Sequence, residues 1–131
     1  MIVTLTIPNA EQFCVSRFVD HVNSVMKDLY GSPRCVANIL SDKWIRIEKQ
    51  ELREVNGKQE YKTTCVYCFI ARQGYNNKTM GEVVNGGLYK AASFKTAAKH
   101  HRGNIYDNVT FACAGPYGLE YLPAGRKAAT V

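Results

Sequence analysis

The segment KWIRIEKQELREVNGKQEYKTTCVYCFIA, residues 43–71, carries the strongest structural signal in the chain. Its first half alternates apolar and polar residues around Ile45 and Ile47, and its second half is rich in aromatic and β-branched residues. The pair Asn56 and Gly57 separates two β-rich runs, which is the typical signal of a tight hairpin. We therefore predict a central antiparallel hairpin over residues 43–71. Its second strand is expected to place these side chains on one face: Tyr61, Thr63, Cys65, Tyr67 and Phe69.

Upstream of this hairpin, residues 10–30 have the periodicity of one long helix. Apolar side chains recur there at helical spacing and would form one buried stripe: Cys14, Val15, Phe18, Val19, Val22, Val25, Met26 and Leu29. Gly31 and Pro33 follow and are typical helix terminators. Two short β-rich runs, residues 1–7 and 35–40, are predicted as strands on either side of the helix.

Downstream of the hairpin, a polar run over residues 73–80 is predicted to be a loop. Residues 88–92, LYKAA, are predicted to be a third sheet strand, reached through a turn at Gly86 and Gly87. The run VTFAC within residues 108–113 also has β character.

A short basic helix is predicted over residues 94–102, where Ser93 would cap its first turn and Gly103 would end it. The expected fold class is therefore α+β, with a small antiparallel sheet packed against the long N-terminal helix and this short basic helix. The length of 131 residues suits one domain, which we place at residues 1–122, followed by a flexible tail at residues 123–131.

Charge is distributed unevenly along the chain, whose net charge is +6 at pH 7. No Asp or Glu occurs between Glu82 and Asp107, and that window holds four cations: Lys90, Lys95, Lys99 and Arg102. The other 13 Lys and Arg residues nearly balance the 11 Asp and Glu residues. Because a merely solvated face usually mixes both signs, this window predicts a surface that attracts polyanions.

The candidate binding residues follow from this window. In a helix, Lys95, Lys99 and Arg102 would share one face, and backbone amides near Gly103 could hold an anion. The predicted phosphate-binding set is Lys90, Ser93, Lys95, Lys99, His100, Arg102 and Asn104. The alternative to phosphate binding is that this stretch is a short solvent-exposed helix whose lysines serve solubility alone.

Three other features have less specific interpretations. His100 and His101 are acid–base candidates, but Asp107 is the one carboxylate nearby in sequence, so we predict no catalytic residue.

Cys65 and Cys68 have CxxC spacing on a strand rather than at a helix start, which favours reduced thiols over a redox or zinc site. We predict no metal and no cofactor. Trp44 and Tyr89 could be core residues or could stack on bases.

The run GLYKAASFKTAAKHHRGNIYD at residues 87–107, preceded by VYCFI and followed by YGLEYL, resembles a group of small proteins of tailed bacteriophages. The shared pattern is similar to YKAASxKxxAKHxRGN, and the resemblance covers residues 65–122. Ala97 stands where the pattern has proline, and residues 73–82 look like an insertion. The resemblance implies a phage protein located in the host cytoplasm, and it implies no particular activity.

A topological resemblance links residues 10–102 to double-stranded-RNA-binding domains, whose order is helix, three strands and helix. The second predicted helix is short for that class because it ends at Gly103. Signatures of P-loops, dinucleotide-binding loops and common hydrolases do not occur in the sequence.

Three function classes remain open from sequence, and the third of them is an enzyme that would use His100 or His101. The first is a non-enzymatic phage accessory protein that binds a phosphate-rich partner, either nucleic acid or a nucleotide, through the basic helix. The second is a protein-binding inhibitor of a host enzyme or antiviral defence complex, acting through a basic patch or a sheet edge. No apolar run is long enough to cross a bilayer, so no membrane partner is expected. Oligomeric state is left open.

Overall fold

The computed structural model describes residues 9–29 and 32–120, in which one helix precedes a series of strands. Helix α1 spans Asn9–Met26, and a short 3-10 helix spans Asn108–Cys113. The strands are β1 (Arg34–Ile39), β2 (Trp44–Val55), β3 (Lys58–Ala71), β4 (Tyr75–Asn77), β5 (Gly81–Val83), β6 (Gly87–Ala91), β7 (Ala97–Asn104), β8 (Ala114–Gly115) and β9 (Gly118–Leu119). The predicted strand at residues 1–7 and the predicted tail at residues 123–131 lie outside the described residues.

The main sheet has five antiparallel strands in the order β1-β2-β3-β6-β7. Strands β4 and β5 form a separate two-stranded arm, and β8 and β9 form another small pair. One helix on a mainly antiparallel sheet confirms the predicted α+β class.

The predicted central hairpin is confirmed as β2 and β3. Val55 pairs with Lys58 across a two-residue turn. Both turn residues have positive φ, 52° at Asn56 and 78° at Gly57. This is the backbone that Asn-Gly adopts most readily between twisted antiparallel strands.

Two bulges in β3 make the predicted face assignment of this hairpin wrong in part. Lys49 pairs with Cys65 and Gln50 with Thr63, so Thr64 is one extra residue. The register keeps Tyr61, Thr63 and Phe69 on one face, while Cys65 and Tyr67 leave it. Ile47 pairs with Cys68 while its neighbour Glu48 pairs with Val66, so Tyr67 is an extra residue. Strict alternation would have put Tyr67 and Phe69 on one face. Instead, Tyr67 is buried on the α1 side and Phe69 on the opposite side. The Tyr67 hydroxyl donates to the Gly115 carbonyl oxygen over 2.6 Å, and burial raises its pKa.

Helix α1 covers one face of the sheet with the apolar stripe that the sequence predicts. Its buried side chains are Val15, Phe18, Val22 and Met26, and they form one core with sheet residues that include Ile45, Ile47, Cys68, Ile70 and Leu88. The helix ends at Met26 rather than near residue 30. The Leu29 amide donates to the Met26 carbonyl over 3.0 Å, so the chain closes in a tighter turn, and Leu29 still packs on the core.

The opposite face of the sheet, here called the distal face, is also apolar. Its buried residues are Phe69, Ala71 and Tyr89, joined by Val83 of β5 and packed against Trp44. The sequence predicts a loop at residues 73–80, but this stretch includes β4 and the turn that leads to β5. The Asn77 side-chain oxygen accepts from the Thr79 and Met80 amides and closes that turn. The β4–β5 arm therefore covers part of the distal face.

The predicted basic helix at residues 94–102 is wrong, because this stretch is the loop and edge strand β7. The Ser93 hydroxyl accepts from the Lys95 and Thr96 amides, as a helix cap would. However, the Ala92 and Ser93 amides donate to the Thr96 carbonyl, and the chain turns back. A nine-residue helix is marginal alone, whereas a strand pairs its backbone with β6. Without the second helix, the likeness to double-stranded-RNA-binding domains also fails.

The predicted β run at residues 108–113 is a 3-10 helix. The Asp107 carboxylate accepts from the Val109 amide over 3.2 Å and caps its first turn. The Thr110 hydroxyl accepts from the Asn104 amide over 2.8 Å, which anchors this turn to β7. Such side-chain hydrogen bonds offer the backbone an alternative to a sheet ladder.

A buried ion pair joins three parts of the chain. Arg72, just after β3, donates through Nε to the Glu11 carboxylate in α1 over 3.0 Å, and both side chains are only 7% exposed. Arg72 Nη1 also donates to the Ser41 carbonyl between β1 and β2 over 2.8 Å. The pair therefore fixes α1 against the end of the sheet where β2 begins and β3 ends, opposite to the Asn56-Gly57 turn.

Arg72→Met should lower the free energy of unfolding by about 3–5 kcal/mol, because it leaves the Glu11 carboxylate buried without its partner. The double variant Glu11→Gln/Arg72→Met should recover part of that loss. Urea denaturation of both variants and the wild type measures these differences. A loss below about 1 kcal/mol for Arg72→Met would show that water reaches the pair and that it does not fix α1.

Candidate ligand-binding site

The structure places the predicted binding residues on the β6–β7 hairpin and divides them between its two ends. Ala91 pairs with Ala97 at the loop end, and Gly87 pairs with Asn104 at the other end. Near the loop end, these predicted residues are exposed: Lys90, Ser93, Lys95, Lys99 and His100. These five residues therefore lie on one hairpin, distributed over a loop and two strands rather than along one helix face.

Arg102 and Asn104 do not join the other five. Asn104 is fully buried, and its side chain donates to the Asn85 carbonyl over 2.8 Å and accepts from the Tyr106 amide over 2.9 Å. Arg102 is half-buried. Burial raises the pKa of the Cys113 thiol to about 11, and the charge of Arg102 opposes that shift, so Arg102 lies close to the α1-side core. Asn104 therefore supports the fold at this end of the hairpin.

The two candidate histidines have different surroundings. His100 is exposed on β7, whereas His101 is half-buried, with its ring centroid 6.0 Å from that of Tyr89. The His101 Nε2 atom is buried and has no hydrogen-bond partner within the described residues. Asp107 caps the 3-10 helix. Within residues 9–29 and 32–120, neither histidine therefore has a carboxylate partner.

A cleft of about 530 Å³ opens on the distal face beside this hairpin. Its floor includes Trp44 and Phe69, whose ring centroids lie 6.1 Å apart in an edge-to-face contact. The Trp44 indole Nε1 donates to the Tyr75 hydroxyl over 2.8 Å. We call this feature the aromatic cleft; sites of this size with an apolar floor are typical for small ligands.

The walls of the aromatic cleft come from two elements that are distant in sequence. The β4–β5 arm supplies one wall, which includes Asn77, Thr79 and Met80. The β6–β7 loop and the start of β7 supply the other, which includes Lys95 and Ala97. Of the predicted binding residues, Lys95 is therefore the one that lines the cleft.

The β6–β7 loop is held in place by Arg46 of β2. Its guanidinium lies 4.1 Å from the centroid of the Phe94 ring, and Nη1 donates to the Phe94 carbonyl over 3.2 Å. Arg46 is also ion-paired with Glu48 over 2.8 Å. Phe94, which precedes Lys95, is thus held by a residue of the central strand β2. This contact fixes the cleft wall on which Lys95 lies.

Glu48 is the charged residue at the base of this attachment, and it is only 8% exposed. Its carboxylate accepts from the Asn38 side-chain NH₂ group over 2.8 Å and from the Thr63 hydroxyl over 3.2 Å, in addition to Arg46. Burial alone would raise the pKa of Glu48, but hydrogen bonds from Asn38 and Arg46, together with the Arg46 charge, lower it overall. Glu48 therefore stays ionised at neutral pH.

The two cysteines with CxxC spacing lie in different surroundings. Cys68 is buried and Cys65 is exposed, so the CxxC spacing places the two thiols in different environments. Burial raises the pKa of Cys35 to about 12 and the pKa of Cys68 well above its usual value. Within residues 9–29 and 32–120, no group of three His, Cys, Asp or Glu side chains is arranged to hold a metal ion.

Most of the aromatic cleft escapes prediction from sequence. Trp44, which the sequence leaves open between core and stacking surface, lines the cleft, whereas Tyr89 is core at 1% exposure. Met80 and Asn77 belong to the arm for which the sequence predicts a loop. The signal that could have revealed the arm is the pair of apolar residues Tyr75 and Val83 on either side of a polar turn that ends at Gly81, but three-residue strands carry little periodicity.

Comparison of the chain with protein-family models, with curated proteins and with solved structures found no match. Among the described helices, none has both the length and the apolar character required to cross a bilayer.

Glu48→Gln should lower the free energy of unfolding by about 1–3 kcal/mol at pH 7, because it removes charge-assisted hydrogen bonds. Since the folded-state pKa of Glu48 is below its ordinary value of 4.5, this stabilisation is present above that value. It is lost as the pH falls through the folded-state pKa. Urea unfolding between pH 7 and pH 3 should therefore show the wild type and the variant converging in acid.

The matched control is Glu54→Gln at an exposed position on β2, which should change stability little at any pH in this range. A difference between wild type and Glu48→Gln that stays constant down to pH 3 would contradict the assigned role of the ionised carboxylate.

Proposed function

We propose that this chain is a non-enzymatic phage accessory protein that binds a phosphate-rich partner through the β6–β7 hairpin. The binding residues are Lys90, Ser93, Lys95, Lys99 and His100. Nucleic acid and a nucleotide ligand both satisfy the chemistry of this surface. The phage setting and a host-cytoplasm location rest on the sequence resemblance at residues 87–107.

The observation that carries the proposal is the lack of compensating charge around three exposed lysines. Within the part of the chain that the structure describes, the ion pairs use other cations, and none involves Lys90, Lys95 or Lys99. All three lie in the acid-free window between Glu82 and Asp107. Lysines that have no carboxylate partner keep their full charge for a phosphate group.

The exchange of a helix for a hairpin changes how a phosphate would be bound. A helix would have aligned three cations along one side at fixed spacing. The hairpin instead places Lys90 and Lys99 on paired strands and Lys95 on the loop between them. The Ser93 hydroxyl already accepts from two loop amides, so its role is to shape the loop that presents Lys95.

Lys90→Ala/Lys95→Ala/Lys99→Ala should weaken binding of a fluorescein-labelled DNA duplex by at least about tenfold at low salt. The slope of log K against log salt concentration should also become shallower, by about 0.9 for each phosphate that the variant no longer neutralises. Fluorescence anisotropy titrations at several salt concentrations measure both quantities. Labelled single-stranded RNA and a labelled nucleotide are titrated in parallel.

The matched control removes the same charge elsewhere, by Lys58→Ala/Lys62→Ala/Lys78→Ala, at three exposed positions. It should retain nearly wild-type affinity. If both triple variants bind all the phosphate-bearing probes equally well, attraction follows net charge alone and the hairpin is not the site.

A second candidate function is protein binding by strand addition, as expected for an inhibitor of a host enzyme or defence complex. Strand β6 pairs with β3 at Phe69 and Ile70, and in the described part of the chain no strand pairs with the outer edge of β3 over residues 58–66. Given the two-residue turn, alternate residues such as Tyr61 direct their backbone groups away from β2. This free edge is a site at which a partner strand could add.

Tyr61→Pro should abolish capture of such a partner from nuclease-treated host lysate, because proline removes an outward N–H donor from the edge. Tyr61→Ala keeps that donor and should retain capture. If no protein survives nuclease treatment, or if both variants capture it equally, strand addition at this edge is rejected.

A further inference from the structure

We infer that the aromatic cleft binds the base of a nucleotide, with Lys95 meeting its phosphate. This inference rests on the proposed function and specifies it: the ligand is a single nucleotide unit with an aromatic ring, rather than a phosphate backbone alone. Two features carry it, namely a fixed aromatic floor and a cation held at the wall.

The floor of the cleft is a preorganised surface for a flat ring. The Trp44 ring makes edge-to-face contacts with three aromatic neighbours, Phe69, Tyr75 and Tyr89, at centroid distances of 6.1, 6.5 and 5.5 Å. The hydrogen bond from Trp44 to Tyr75 further fixes the indole. Trp44 is only partly buried and still lines the cleft, so a ligand ring can stack there without reorganising the floor.

The cation at the cleft wall is also held in place. The Lys95 amide donates to the Ser93 hydroxyl over 3.2 Å, and the adjacent Phe94 is held by Arg46 through its ring and its carbonyl. Lys95 itself has no ion pair among the described residues. On the other side of its Cα, the Thr96 amide also donates to the Ser93 hydroxyl, over 3.1 Å. Because the backbone is held on both sides, Lys95 loses little loop entropy on binding an anion.

The remaining lining matches the hydrogen-bonding edge of a base. The Asn77 side-chain oxygen is occupied by two backbone amides, so its NH₂ group is the part that can donate to a ligand. The Thr79 side chain lies on the same wall. None of the described residues that line the cleft is acidic, so a phosphate entering it meets no carboxylate.

The experiment uses Trp44 as its own probe, because it is the single tryptophan of the chain. The intrinsic fluorescence is titrated with AMP, adenosine, ribose 5-phosphate and inorganic phosphate. AMP should change the emission saturably. Adenosine should bind at least about tenfold more weakly, because it lacks the charge-assisted contact with Lys95. Ribose 5-phosphate and inorganic phosphate should leave the emission unchanged, since they carry no ring to stack.

Two variants locate the ligand. Lys95→Ala should weaken AMP binding about tenfold, while Lys58→Ala, on the exposed part of β3, should not change it. Ala97→Leu adds bulk to the cleft wall and should abolish the AMP signal. Thermal denaturation and isothermal titration of each variant separate a blocked cleft from an unfolded protein, and a folded Ala97→Leu that binds AMP like the wild type would overturn the assignment.

Failure of this inference can be told apart from failure of the proposed function. If the labelled duplex or RNA binds in a manner that depends on Lys90, Lys95 and Lys99 but AMP leaves Trp44 emission unchanged, the cleft assignment is wrong and phosphate binding by the hairpin stands. Equal affinity for AMP and adenosine also overturns the inference, since Lys95 then meets no phosphate. If no phosphate-bearing probe binds, both proposals fall.

Discussion

The register of the β2–β3 hairpin is the constraint on which the rest of the structure depends. Thr64 and Tyr67 are both extra residues in β3, so side chains do not alternate regularly between the two faces of the sheet over residues 63–68. Cys68 and Ile70 point to α1, and Phe69 and Ala71 point to the distal face. Both faces of the central strands are therefore apolar at this end, and a sheet with two apolar faces must be covered twice.

The two covers are unequal, and the difference creates the candidate site. Helix α1 covers one face of the sheet with a continuous apolar stripe. The buried ion pair of Glu11 and Arg72 fixes the position of the helix. The distal face is covered by an arm of two three-residue strands, and the β6–β7 loop lies across from this arm. The aromatic cleft is the space that remains between the two, with Trp44 at its base.

The charged network beside the cleft connects this packing to the proposed binding. Glu48 is held ionised by its donors, it orients Arg46, and Arg46 holds Phe94 next to Lys95. Lys95, which the sequence predicts as a phosphate-binding residue, is thereby held next to the central strands of the sheet. This arrangement gives the β6–β7 loop a fixed position without a helix, because one guanidinium satisfies a carboxylate, a carbonyl and a ring together.

The sequence alone determined the features that are set locally. Periodicity identified α1, and the Asn-Gly pair identified the hairpin. The absence of acids identified Lys90, Lys95 and Lys99, which take part in no ion pair among the residues that the structure describes. Tertiary pairing decided the rest: Ser93 makes the same hydrogen bonds in a helix cap and in a reversing loop, and only the edge of β6 selects the strand. The aromatic cleft was likewise invisible in sequence, because its floor and walls come from segments that meet only when both faces of the sheet are covered.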